Sequence, residues 1–297
     1  MLTSKLPPPE RRSRFRQELA SGKLLRFPGA FSPLVAMMIE QHRFEGVYIS
    51  GAALSADLGL PDIGLTTLSE VASRSEAITR MINLPTIVDL DTGFGEPANV
   101  ARAVTTIERA GLCGCHIEDQ LFPKRCGHLD GKQLVSTDEM VRKIKAAADA
   151  KSDSNFLMIA RTDARGVENL DAAIERAQRY VDAGAEMIFP EALADESEFA
   201  KFRAAIDVPL LANMTEFGKS QLLSTDQLSS LGYNVVIYPV TTLRLAMHAI
   251  ETGLQDLASA GTQQGSVNSM QTRQELYQLL NYESYAEIDR KLFNFKL

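Results

Sequence analysis

Eight short apolar, β-prone runs recur along the chain, each closed by a polar or Gly/Pro stop and most followed by a helical stretch. They are LLRFPGA (24–30), GVYISG (46–51), TIVDLD (86–91), CGCHIEDQ (113–120), FLMIARTDA (156–164), MIFPEA (187–192), PLLANMT (209–215) and VVIYPV (235–240). Strands covered on both faces read as continuous apolar runs, and strand–helix alternation implies parallel pairing. Eight such units in roughly 250 residues predict a (β/α)8 TIM barrel. A doubly wound sheet would want a Gly-rich dinucleotide loop after its first strand, and no GxGxxG stands there. Between the strands, NLDAAIERAQRYVDAGA ends on Gly184 as a helix stop. STDEMVRKIKAAADAK opens on a Ser/Thr cap with Glu139 close behind.

No low-complexity linker divides the 297 residues, so residues 1–297 are read as a single barrel domain with an extension at 1–20. The helical residues from about 241 to 297 exceed what one closing helix needs and are available for subunit contacts. A net charge of -7 argues against a nucleic-acid surface. No apolar run reaches the roughly 18–20 residues of a membrane span. Three cysteines, an odd number, make no disulfide framework, which predicts a reducing, cytoplasmic setting.

Polar residues crowd the ends of the predicted strands: Tyr48 and Ser50, Asp89 and Asp91, Glu118 and Asp119, Arg161 and Asp163, Glu191, Asn213 and Thr215, Tyr238. Barrel chemistry gathers at the carboxyl ends of the strands. Helix capping could explain Asp119 or Asp163 singly; it does not explain the convergence. Asp89 and Asp91 stand two apart, so strand alternation would aim both carboxylates into the barrel mouth. Their repulsion would be relieved by a divalent cation, and oxygen donors with Glu118 nearby suit Mg²⁺ or Mn²⁺ better than zinc. Cys113 and Cys115 share one predicted strand face and His116 takes the other, which argues for packed thiols rather than a zinc site.

The stretch KRCGH (124–128) lies in a loop flanked by Pro123, Gly127 and Gly131. A metal knuckle fails for want of partner cysteines, and a nucleophile lacks an acyl acceptor site. Two readings remain, an ordinary basic loop and a mobile loop that carries a proton donor and acceptor over the site. The neighbouring Lys124, Arg125 and His128 predict a depressed thiol pKa at Cys126.

KRCGHLDGK, with VDLDTGFG, HIEDQ, IARTDA, FPEA, NMTEFG and QTR in order from about residue 24 to 290, resembles the isocitrate lyase/phosphoenolpyruvate mutase superfamily. Within it the chain is most similar to the branch that cleaves 2-methylisocitrate. The resemblance implies a barrel whose last helix is exchanged between subunits, in a homotetramer. It implies a Mg²⁺ site, with Mn²⁺ able to stand in, at Asp89 and Asp91, and Asp62 and Glu118 acting through water. It implies substrate contacts at Ser50, Gly51, Ala52, Gly127, Arg161, Glu191, Asn213, Thr215, Arg244 and Arg273, and a catalytic Cys126. The implied reaction is retro-aldol cleavage of a tricarboxylate, (2R,3S)-2-methylisocitrate, to pyruvate and succinate. Tyr48 is the candidate base there, while Arg161 and His128 tune the thiol. Isocitrate, dimethylmalate and oxaloacetate are the competing substrates. The shortness of the chain and NMTEFG stand against isocitrate lyase itself, and Cys126 against the phosphonate mutases.

Overall fold

Each of the eight apolar runs forms a strand, shortened where Gly, Pro or a charged residue interrupts the pairing. In the computed structural model, which describes residues 6–294, these are β1 (Leu25–Pro28), β2 (Val47–Ile49), β3 (Thr86–Asp89), β4 (Gly114–Glu118), β5 (Leu157–Thr162), β6 (Met187–Pro190), β7 (Leu211–Asn213) and β8 (Val235–Tyr238). All pairings are parallel. Ladders β2 to β6 and β1-β8-β7 form two sheets. Single parallel bridges, Gly29 to Tyr48 and Ile188 to Leu210, span the two seams. The strands thus follow one another around a ring in chain order, as the alternation predicts.

Alternation along each strand sorts the side chains into two cores. Leu25, Phe27, Tyr48, Ile87, Leu157, Ile159, Met187, Phe189, Leu211, Val235 and Ile237 fill the ring. Val47, Ile49, Val88, Cys115, Ile117, Met158, Ile188 and Val236 face outward and pack with helix residues such as Val104, Ile144 and Phe202. Cys113 and Cys115 therefore part company, contrary to the expected shared face. β4 begins at Gly114, so Cys113 lies before the first paired residue and joins the interior cluster.

Residues 8–20 are more than an extension. The helix Pro8–Ala20 lays Phe15 and Leu19 against the interior cluster and closes the amino-terminal mouth of the ring. Its polar face is fixed as well: Arg11 donates to the carbonyls of Thr79 and Ile82 at 2.7 and 3.1 Å, and Arg12 to that of Leu112 at 2.8 Å. The helices around the ring carry the predicted signals. Ser136 caps Thr137–Ala150 by accepting from the Glu139 amide, and Gly184, at φ +109, turns the chain after Leu170–Asp182. By contrast, the helices Thr241–Ala260, Arg273–Leu279 and Tyr282–Phe293 bury no residue.

Candidate active site

The strand-end residues meet at the carboxyl-terminal mouth around a cavity of about 90 Å³. Tyr48, Ser50, Ala52, Asp62, Asp89, Cys126, Gly127, His128, Arg161, Glu191, Asn213, Thr215 and Arg244 all line it. Gly51, Asp91 and Glu118 stand behind that lining, and Arg273 is off it altogether; it begins a carboxyl-terminal helix beside Tyr277 and Tyr282, away from the mouth in this single chain. Phe189, Ile237, Pro239 and Val240 add an apolar flank that the search for polar strand ends passed over.

Asp89 and Asp91 converge by a different route from the one expected. β3 ends at Asp89, and Asp91 adopts the left-handed conformation at φ +49, which turns the chain back so that its amide donates to Asp89 Oδ1 at 2.9 Å. Gly51 opens the next helix directly against them; a Cβ there would lie 3.0 Å from Asp89 Oδ2 and 3.2 Å from Asp91 Oδ1. Burial and the charge of Asp89 push the Asp91 carboxyl up to about 6. Lys124 Nζ, itself buried, lies 2.7 Å from Asp91 Oδ1 and also contacts Asp62.

Beneath them, Tyr48 Oη and His116 Nε2 share a hydrogen bond of 2.8 Å, and His116 Nδ1 faces Asp89 Oδ1 at 3.6 Å. Burial lowers His116 to about 4, so the ring is neutral. Burial, reinforced by the Asp89 charge, raises the Tyr48 phenol well above its ordinary value. This corrects the expectation of a base at Tyr48: it is a protonated phenol, suited to donating.

On the opposite side Arg161 is enclosed by carboxylates. Its Nε lies 2.9 Å from Asp163 Oδ2 and 3.3 Å from Glu118 Oε2, and its Nη2 lies 3.1 Å from Glu191 Oε2. Its guanidinium stands 5.1 Å over the Phe189 ring. Glu191 also meets His128 Nε2 at 2.9 Å and accepts from Asn213 Nδ2 at 3.2 Å. The Lys219 amide donates to His128 Nδ1 at 2.9 Å, so the His128 proton resides on Nε2 and points at Glu191. Arg244 stacks 5.1 Å from Phe217, and its Nη1 lies 3.1 Å from Glu216 Oε2.

The Cys126 loop is closed at its base by the Gln120–Leu134 bridge. The Gln120 side chain brackets Arg125, donating to its carbonyl and accepting from its amide, both at 2.9 Å. The predicted thiol activation is overturned: burial raises Cys126 above its ordinary value, against the weaker pull of the His128 amide and Arg161. The nearby cations are committed elsewhere, Lys124 to Asp62 and Asp91, and Arg125 Nη1 to the Asp130 carbonyl at 3.3 Å. Cys126 is half-buried and protonated.

The phosphoenolpyruvate phosphomutase family model matches residues 15–258. The chain belongs to the isocitrate lyase/phosphoenolpyruvate mutase superfamily. A Corynebacterium glutamicum relative named as a probable 2-methylisocitrate lyase is 56% identical over 99% of this chain and 96% of its own. The 2-methylisocitrate lyase of Aeropyrum pernix is 50% identical over 89% and 86%. Among solved superfamily structures, oxaloacetate acetylhydrolase with 3,3-difluorooxalacetate superposes with a TM-score of 0.91 at 32% identity, over 98% of this chain and 100% of that one. Phosphonopyruvate hydrolase with oxalate and Mg²⁺ superposes at 0.88 and 29% identity, over 96% and 99%.

The acids of this chain fit such an ion in part. Among the described residues no three His, Cys, Asp or Glu side chains converge closely enough to hold one metal. Asp89, Asp91, Asp62 and Glu118 are therefore not a single coordination shell, because Lys124 bridges Asp62 to Asp91 and Glu118 faces Arg161. Yet both Glu118 oxygens are buried without a hydrogen-bond donor, and Asp91 stays raised to about 6 beside Asp89 even with the Lys124 ammonium against it. Hard oxygens in small number suit Mg²⁺, which keeps several of its waters.

Proposed function

We propose that this chain cleaves (2R,3S)-2-methylisocitrate to pyruvate and succinate. The observation that carries this reading is one cavity holding a protonated thiol, Asp89 of the acid pair and an apolar flank together. The high identity to lyases named for that substrate supports it.

A divalent cation, Mg²⁺ or Mn²⁺, bound at Asp89 and Asp91 with Asp62 and Glu118 reaching it through water, would act as a Lewis acid toward the 2-hydroxyl and its neighbouring carboxylate. The protein supplies the rest. The 2-hydroxyl gives up its proton to water at the mouth, and its oxygen forms the pyruvate carbonyl as the carbon–carbon bond breaks. The electron pair of that bond stays on the carbon that becomes part of succinate; the Cys126 thiol protonates it and the resulting thiolate regains a proton from solvent. Thr215, Asn213 and Arg244 line the wall where the charge of that half would be held. Gly51 borders the acid pair, Ser50 and Ala52 line the cavity beside it, and Tyr48 stands below with its hydroxyl hydrogen-bonded to His116. Arg161, Glu191, His128 and Gly127 form the opposite wall. Phe189, Ile237, Pro239 and Val240 give the substrate methyl an apolar surface. Opening of the Cys126 loop would admit the tricarboxylate, and its closure would exclude water from the carbanion.

The homotetramer rests on the carboxyl-terminal helices, whose Leu245, Ile250, Leu254 and Leu257 lie exposed. An apolar groove of about 690 Å³, lined by Pro28, Val35, Ile39, Phe44 and Leu245, lies beside β1 and β8. A helix from a second copy filling that groove would complete the outer layer, and Arg273 would reach a site only from a neighbouring chain. Among the described residues no helix is long and apolar enough to cross a membrane, and the three free thiols suit a cytoplasmic setting.

The test is one panel of methylisocitrate, isocitrate, 2,3-dimethylmalate and oxaloacetate compared by kcat/KM. Methylisocitrate should lead isocitrate by about 10–200-fold, the range one methyl commands in an apolar pocket. Preference for any other member of the panel would overturn the assignment.

A further inference from the structure

Lys132 closes the stretch KRCGHLDGK and is 8% exposed, although lysine is rarely buried unless paired. Its ammonium donates to the Gly127 carbonyl and, at 2.8 Å, to Asp163 Oδ1. Asp163 is wholly buried and receives Arg161 Nε at 2.9 Å and Nη2 at 3.2 Å. Its backbone is fixed in turn, because the Asp163 amide donates to Asp119 Oδ1 at 2.8 Å. Asp119 Oδ2 accepts from Thr162 Oγ1 and Tyr180 Oη, both at 2.8 Å. One ammonium therefore joins the turn that carries Cys126 to the carboxylate that orients the Arg161 guanidinium. The join leaves no slack: a Cβ on Gly127 would lie 2.4 Å from Arg161 Nη2 and 2.5 Å from Glu191 Cγ.

We propose that Lys132 is a positioning residue that locks loop closure to arginine orientation. By bridging the Gly127 carbonyl to Asp163 it fixes the Cys126 turn against Arg161, so that the thiol is aimed only when the guanidinium is in place. It touches no reacting atom. Without it the loop keeps its anchors at Lys124 and His128 but loses the tie from the Gly127 carbonyl to Asp163, and the thiol is no longer held in register with Arg161.

The proposal deepens the lyase reading, yet one arm of its test does not depend on that reading. Cys113 and Cys115 are buried, so a single iodoacetamide adduct on the folded full-length chain, followed by mass spectrometry, reports Cys126. Lys132→Met should speed that alkylation about tenfold or more in the absence of any substrate. An unchanged alkylation rate overturns the proposal whatever the enzyme cleaves. In the kinetic arm, kcat for methylisocitrate should fall on the order of 100-fold while KM changes less than about threefold, since misplacing a reacting group by about 1 Å costs that much. A loss confined to KM, or a kcat within about threefold of the parent, also overturns it. Lys132→Gln keeps a donor for the Gly127 carbonyl and loses only the charge facing Asp163, and carries both arms if the methionine variant does not fold. If the parent cleaves no methylisocitrate, the function reading falls and the alkylation arm alone decides the role of Lys132.

Discussion

Lys124 Nζ lies 2.7 Å from Asp91 Oδ1 and reaches Asp62 with the same ammonium, so the residue two before the reactive thiol is tied to the acid pair. Sequence proximity makes Lys124 look like an activator of Cys126. The structure makes it a counter-charge for Asp91, and leaves the thiol to burial. Four expected outcomes follow from this division of labour.

Asp91 is held at about 6 by burial and the neighbouring Asp89 charge, against an ordinary value of 3.8. A raised acid binds its proton more tightly in the native than in the unfolded chain, so its contribution favours folding at low pH and is lost as pH rises from about 4 to 6. At pH 7 the ionised group costs on the order of 2–3 kcal/mol. Metal-free Asp91→Asn should therefore melt a few degrees higher than the parent at pH 7, while activity falls by about 100-fold or more. In the parent, Mg²⁺ affinity measured calorimetrically should weaken as pH drops below 6, where a proton competes for the site. A lower Tm in the Asn variant would contradict the electrostatic account.

Cys126, raised above its ordinary value by burial, keeps its proton through neutral pH. Cleavage should hold its plateau through neutral pH and past the ordinary thiol range, losing rate only as the raised thiol ionises above it. Condensation of pyruvate with succinate, which needs the thiolate, should instead rise with pH over the same span. Cys126→Ser should lower kcat by about 100- to 10,000-fold, the usual worth of a positioned general acid. Steady-state rates in both directions against pH check both statements.

Gly127→Ala places a methyl where Arg161 Nη2 and Glu191 already stand, with contacts of 2.4 and 2.5 Å. The loop can relieve the clash by opening, so the Tm should stay within about 2 °C, since the core is untouched. The kcat should fall by about tenfold or more as the closed state is lost. Differential scanning calorimetry beside steady-state kinetics separates the two effects.

Removing residues 271–297 takes away Arg273 and the helices that bury nothing in the single chain. Light scattering should show a smaller assembly than the full-length chain forms, and activity should fall with it. A fully active truncated species of unchanged size would exclude the shared carboxyl-terminal arrangement.

The ring was legible because burial on both faces writes a strand as an unbroken apolar run, as in TIVD and VVIY, and all eight runs form strands. The site was legible for a related reason: a charge at the end of such a run is costly unless something shares it, which marked Asp89, Glu118, Arg161 and Glu191. What stayed hidden was the pairing. Nothing in KRCGH says that Lys124 spends its charge on Asp91 rather than on Cys126, because that depends on where the β3 turn places Asp91 and on Asp62, 62 positions away. Asp91 reached Asp89 through a left-handed turn, not through the pleat. Phe189 and Ile237 looked like ordinary core, and only the curvature of the ring brings them to the mouth. Lys132 could have been suspected from the pattern of two lysines flanking CGH, eight positions apart.

The helix Pro8–Ala20 has a consequence for how the molecule is made. Phe15 packs on Phe27, within an interior cluster that β8 completes, and β1 pairs with β8 through Leu25 and Val235. A nascent chain thus exposes its first helix and first strand until nearly the whole ring has left the ribosome. Synthesis at about 5–20 residues per second makes that wait some ten seconds or more. Throughout it, one amphipathic helix and an unpaired edge depend on chaperones or on their own arginines for solubility.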